Sequence, residues 1–168
     1  NQLITNDKNI NYQILANESK FLKSKLPNNY VYFHIKKDII DKLSWDTNKL
    51  KIIFKELLNH FDHVIFTRDI EKNNNKDLIN NEFNIVDFQN KKINIKDINS
   101  RIILFDNIEG EDLYCTIRNS AKIIAFHGMM TNLGSIELKK VLDLWFCDIK
   151  NIDDYKNYRN AFYEFKPV

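Results

Sequence analysis

Ile123-Ile124-Ala125-Phe126-His127-Gly128-Met129-Met130-Thr131-Asn132-Leu133-Gly134-Ser135-Ile136 decides how the rest of the chain is read. Four apolar residues run into a His-Gly pair, and a helix-compatible segment follows at once. A buried parallel strand that hands its chain to a helix has this pattern, and the turn then lies at the carboxyl edge of the sheet. Ligands of open α/β sheets bind at that edge. A helix start presents N–H groups without intrahelical acceptors and roughly half a positive charge, so an anion such as a phosphate is the natural ligand. A strand–helix turn that binds nothing has the same local pattern.

Downstream, a helix from Thr131 to Lys139 leads to a last strand, Val141–Trp145, and Tyr155, Tyr158 and Phe162 suggest a closing helix. Upstream lie the strand Ile102–Phe105, ending at Asp106-Asn107, and a helix from Glu109 to Asn119 through Leu113, Tyr114 and Ile117. The first strand is Val31–Ile35. From Ser44 to Phe61, Leu50, Ile53, Phe54, Leu57, Leu58 and Phe61 trace one helical face, with Asp46 or Thr47 as its cap. His63–Thr67 reads as a short strand covered on both faces. Lys72–Asn81 holds a weak helix, Phe83–Val86 a third strand, and Lys91–Ser100 a loop or edge element. The alternation predicts an α/β fold: a doubly wound, mostly parallel sheet with helices on both faces, Rossmann-like.

Residues 1–29 read as a lead-in, with a short helix near Ala16–Leu26 broken at Pro27, and residues 30–168 as the domain. A chain of 168 residues suits one core. It starts at Asn1 and not at Met, so a processed product or a piece of something longer is expected. A formal net charge of +2, with interspersed lysines and acids, argues against nucleic acid as partner. No apolar run reaches the ~18 residues of a membrane span, and no signal peptide is visible. Cys115 and Cys147 lack CxxC spacing; two buried thiols in a reducing compartment are expected, which places the chain in the cytoplasm or at the inner face of a membrane. With only three glycines, each is expected in a turn.

The strand ends supply the candidate chemistry. After the first strand, His34-Ile35-Lys36-Lys37-Asp38 would aim Lys36 or Lys37 at the anion held by the His127-Gly128 turn; a solvated lysine pair is the plainer alternative. Thr67-Arg68-Asp69 after the second and Asp106-Asn107-Ile108-Glu109-Gly110 after the fourth could hold a ribose or a base. Asp69 and Glu109 could equally be helix-start acids without a ligand. His34, His60, His63 and His127 lack the spacing of a metal pair, and His60 and His63 are read as helix-end hydrogen-bonders. Neither GxGxxG, GxxxxGK[ST] nor GxSxG occurs, which argues against dinucleotide oxidoreductases, P-loop phosphotransferases and serine hydrolases.

Residues 111–132 resemble the C-terminal half of a GT-B glycosyltransferase. His127, Gly128, Thr131 and Asn132 match the His-Gly-Ala-x-Leu-Thr-Asn signature of the family of plant xylosyltransferases and an animal protein O-GlcNAc transferase. Met129 stands where that family has a small residue, and Met130 lies near its leucine. Val141-Leu142-Asp143-Leu144 resembles the hydrophobic–acidic strand that closes the same unit, and His34–Asp38 is similar to the His-x-Arg-Arg-x-Asp loop of fucosyltransferases, with lysines for the arginines.

The resemblance implies a nucleotide-diphosphate sugar as donor substrate, a glycan or glycoconjugate acceptor, no cofactor and a metal-independent reaction. Its phosphates would meet Lys36, Lys37, His127, Gly128, Met129, Met130, Thr131 and Asn132. Its nucleoside would meet Thr67, Arg68, Asp106, Asn107 and Glu109. The catalytic residue stays open: His127, by its place before Gly128 and a helix start, is one candidate, with a structural hydrogen-bonder as the alternative. The resemblance further implies an N-terminal acceptor domain in cis. A non-catalytic nucleotide-binding or scaffold module of the same fold is the second expectation. A receiver-like signalling domain ranks last, because Lys36-Lys37 stand where a receiver carries acids.

Overall fold

The computed structural model describes residues 19–69, 83–89, 100–137 and 139–144. In chain order these form α1 (Lys20–Lys23), β1 (Tyr30–Ile35), α2 (Lys37–Lys42), α3 (Thr47–Leu57), β2 (His63–Arg68) and β3 (Asn84–Asp87). They continue with β4 (Ile102–Asp106), α4 (Gly110–Asn119), β5 (Lys122–Phe126), α5 (Met129–Ile136) and β6 (Val141–Leu144). The helices expected at Lys72–Asn81 and around Tyr155–Phe162, the start of the one near Ala16, the stretch from Lys91, and Trp145 and Cys147 lie outside the described residues.

All six strands are parallel, in the order β3-β4-β2-β1-β5-β6. This is an α/β Rossmann-like fold. The two-residue period of the strands separates two cores. Tyr30, Tyr32, Ile65, Ile103, Phe105 and Ile123 pack with Cys115 and Ile117 of α4 and Met130 of α5 on one face. Val31, Phe33, Ile35, Val64, Phe66 and Ile124 pack with Ile40 of α2 and with Leu50 and Phe54 of α3 on the other. Phe54 anchors the second core, its ring centroid 4.8 Å from Phe66 and 5.5 Å from Phe33. Strands buried on both faces are continuous apolar runs for this reason.

Helix α3 starts where expected: the Asp46 carboxylate accepts the Lys49 N–H at 2.8 Å, closing an N-cap. Helix α2 was not foreseen. It has only six residues, and Lys36, which precedes it, makes no capping bond through its side chain, so it carries no sequence signature. Helix α5 begins at Met129, two residues before the expected Thr131. Gly134 corrects the expectation that every glycine marks a turn. It lies inside α5, where an added Cβ would come 2.5 Å from Ile123 Cδ1 and 2.8 Å from Val141 Cγ2. Glycine there lets α5 pack directly onto β5 and β6. At the end of α3 it is the His60 backbone N–H, not an imidazole, that reaches a carbonyl (Leu57, 3.0 Å), while Arg101 donates to the Leu58 carbonyl at 3.1 Å and to that of Asp62 at 3.0 Å.

Candidate functional site

Strand β1 pairs with β2 on one side and with β5 on the other, and the chain winds away from this pair in both directions. The gap between β1 and β5 is the topological switch point, where ligands of open α/β sheets bind. The chain delivers Lys36 to one side of it and His127-Gly128 to the other.

These two sides touch. Lys36 Nζ donates to the His127 carbonyl at 2.5 Å. An ammonium has three N–H donors, so two remain for a ligand, and no second partner occurs among the described residues. Gly128 makes the approach possible. Its φ is +155°, and a Cβ there would lie 2.7 Å from Lys36 Nζ. Thr131, fully buried, closes the turn: its hydroxyl donates to the Gly128 carbonyl at 2.8 Å and lies 3.2 Å from the Gly128 N–H. The Gly128 carbonyl also receives the Asn132 N–H at 3.2 Å, the first bond of α5. The amides of Met129 and Met130 therefore have no intrahelical acceptor. The Met129 side chain is exposed at this mouth while Met130 packs into the core. Asn132 Oδ1 is buried and accepts no hydrogen bond among the described residues.

His127 is fixed from β6. Its N–H donates to the Leu144 carbonyl at 3.0 Å, and its Nδ1 lies 3.1 Å from Asp143 Oδ2. An ionised carboxylate only accepts, so Nδ1 carries the proton. Asp143 escaped assignment from sequence, although an acid inside Val141-Leu142-Asp143-Leu144 was the available signal.

The other expected site residues lie at the same edge, and most of them are engaged by other side chains of the protein. Lys37 opens α2, and its ammonium pairs with Asp41 at 2.5 Å. Arg68 clamps Asp106 with two bonds, of 3.0 and 2.7 Å. Asn107, in the left-handed region at φ 54°, donates to Asp87 at 3.0 Å. Glu109 precedes α4 without a capping bond from its side chain. Thr67 is buried and meets two side chains of β1, Tyr32 Oη at 2.6 Å and His34 Nδ1 at 2.9 Å. The other ring nitrogen of His34 lies 3.2 Å from Asp69 Oδ1. Burial pushes the Tyr32 phenol well above its ordinary range, the Thr67 hydrogen bond opposing in part. The sequence offers Asp69, within Thr67-Arg68-Asp69, as a strand-end acid that could hold a ribose or simply start a helix; its contact with His34 was not foreseen, because their meeting depends on the β1–β2 register, His34 beside Thr67.

Among the described residues, no group of three or more His, Cys, Asp or Glu could hold a metal ion. Among them, too, no helix is long and apolar enough to cross a membrane. Comparisons with protein-family profiles, with curated proteins and with solved structures returned no match.

Proposed function

We propose that this chain is the donor-binding domain of a glycosyltransferase, which holds a nucleotide-diphosphate sugar for transfer to a glycan or glycoconjugate acceptor. The observation that carries the reading is the Lys36 ammonium set against the His127-Gly128 turn, at the head of α5 and at the switch point of the sheet. Cation, helix dipole and glycine coincide there, as a diphosphate requires. In the reaction, the bond from the sugar's anomeric carbon to the diphosphate breaks as the acceptor hydroxyl bonds to that carbon. The charge released on the diphosphate is then met by Lys36 and the first amides of α5, an electrostatic role. His127, oriented by Asp143, stands beside them. The acceptor site and the catalytic base belong to a further domain in cis.

Titration of the chain with uridine, guanosine, cytidine and adenosine diphosphates, read by amide shifts, tests the proposal. Shifts centred on Gly128 to Asn132, lost in Lys36→Ala, are expected. Absence of binding at millimolar nucleotide refutes it.

The internal pairing of Lys37 with Asp41 and of Arg68 with Asp106 favours a second reading, a non-catalytic nucleotide-binding or scaffold module. Nucleotide binding without sugar transfer or hydrolysis by the full-length parent would select it.

A further inference from the structure

We propose that Asp69 is the ribose-binding carboxylate of this site, held in place by His34, and that it makes the domain select ribonucleotides over 2′-deoxyribonucleotides. The inference rests on the nucleotide-binding reading above and deepens it.

The polarity of the side-chain chain behind Asp69 follows from donor and acceptor inventories. Asp69 Oδ1 can only accept, so His34 Nε2 carries the proton and donates across the 3.2 Å contact. In a neutral imidazole Nδ1 is then an acceptor, and it takes the Thr67 hydroxyl proton at 2.9 Å. With its proton committed, Thr67 Oγ1 can only accept from the Tyr32 phenol, at 2.6 Å. Burial that keeps the phenol protonated fits this direction. Every bond in the series points outward, from a core tyrosine to a carboxylate at the sheet edge.

His34 is 4% exposed, whereas the Asp69 side chain is 43% exposed. The buried members are satisfied by one another, and the series ends in a fixed carboxylate that faces water. Its Oδ2 has no partner among the described residues. Backbone anchoring adds to the fixing, since the Asp69 N–H donates to the Ile35 carbonyl at 3.2 Å. A preorganised carboxylate at the end of a strand suits a pair of hydroxyls, whereas it repels a phosphate.

Position agrees with that chemistry. Along the edge, β2 is two strands from β5, about 10 Å at ordinary strand spacing. A nucleoside 5′-diphosphate anchored between Lys36 and α5 reaches that far with its ribose. Arg68 and Asp106, neighbouring polar groups, are closed on each other, whereas Asp69 keeps an open acceptor.

The test compares each nucleoside diphosphate that binds with its 2′-deoxy counterpart, by calorimetry on the chain as it stands. Wild type is expected to bind the ribonucleotide about tenfold more tightly, as loss of a hydrogen bond to a charged group implies. Asp69→Asn, which keeps the shape and an acceptor for His34, is expected to weaken the ribonucleotide by a similar factor. The 2′-deoxynucleotide should stay within about twofold on the same grounds. His34→Leu is expected to erode the preference, and His34→Gln, which keeps an N–H donor, to restore it. Asp69→Asn carries the test if the buried His34 variants fail to fold. Equal binding of both nucleotides by wild type, or equal weakening of both by Asp69→Asn, overturns the assignment of Asp69 while the donor-binding reading stands. Failure of every nucleoside diphosphate to bind overturns both.

Discussion

Replacing Gly128 by alanine tests whether the close approach of Lys36 to the turn is structurally required. Two costs can be separated. The first is conformational: φ of +155° lies where residues with a Cβ are strained, at about 1–3 kcal/mol. The second is contact: the new Cβ would stand 2.7 Å from Lys36 Nζ and 3.4 Å from its Cε, both on the flexible end of a long side chain. That chain can swing away, but it then gives up the 2.5 Å bond to the His127 carbonyl. The bond is partly exposed, so its loss is set at about 1 kcal/mol, below the figure for buried charged groups. Together Gly128→Ala should cost about 2–4 kcal/mol, lowering Tm by roughly 4–16 °C for a chain of this size. Lys36→Ala alone should cost about 1 kcal/mol. The double variant should fall short of the sum by about 1 kcal/mol, because both single changes break the same bond. Urea denaturation of the four proteins reads the cycle. Strict additivity would refute the contact, and a Gly128→Ala cost below about 0.5 kcal/mol would refute the strained turn.

Gly134→Ala gains helix propensity but forces a methyl against Ile123 and Val141, so a net loss of about 1–2 kcal/mol is expected. Ile123→Val removes the Cδ1 atom 2.5 Å away and should recover part of that loss in denaturant titration, which would not happen if the methyl were accommodated freely. Arg68→Lys keeps charge but loses the two-point grip on Asp106 and should cost about 1–2 kcal/mol, with Arg68→Ala no more than slightly worse. His63 gives a pH dependence: burial, aided by Arg101 and opposed by Asp62, lowers its pKa below the ordinary 6.5. The unfolded chain therefore binds this proton first. The stability linked to His63 is complete above pH 6.5 and is lost as pH falls through the folded value. His63→Gln should flatten that part of the stability profile, and an unchanged slope between pH 7 and 5 would count against the partly buried imidazole.

Local periodicity made most of the fold legible. The apolar run Ile123–Phe126 located β5, which forms over Lys122–Phe126, and the apolar face of α3 located that helix, whose cap is Asp46. Such elements are legible because each satisfies its own rule within a few residues. Strand order is different: β3 lies outside β4, at the sheet edge, and nothing in Phe83–Val86 states which neighbour it takes. Lys36, His127, Gly128 and Thr131 were visible as strand-end residues, and the structure brings them into one turn. Asp69 with His34 and Asp143 with His127 were not visible. Each pair spans two strands, separated by 35 and 16 residues, and exists only once register is set. Gly134 misled for the opposite reason, since steric need across a helix–sheet contact leaves the same letter as a turn.

Charge along the carboxyl edge bears on where the proposed anion site would lie. From β3 to β6 the edge presents Asp87, Asp106, Arg68, Asp69, Lys36, His127 and Asp143. Among these described strand-end residues four carboxylates face two permanent cations, so the row they form opposes a diphosphate. Arg68 is committed to Asp106 by two bonds and does not change that balance. Among the described strand-end residues, Lys36 adds a cation with donors to spare, and it does so where the first amides of α5 add a second positive source. An anion held there is flanked on one side by Asp69 and on the other by Asp143. Those acids would repel phosphate but can accept hydroxyl or imidazole protons, and Asp143 already accepts one from His127. Under the proposed donor-binding role, the pattern would suit a ligand with a compact anionic centre and neutral polyhydroxylated groups beside it, a combination that inorganic phosphate lacks and a nucleotide sugar has. Inorganic diphosphate should accordingly bind more weakly than a nucleoside diphosphate, and equal affinities in a competition titration would show that the flanking acids contribute nothing.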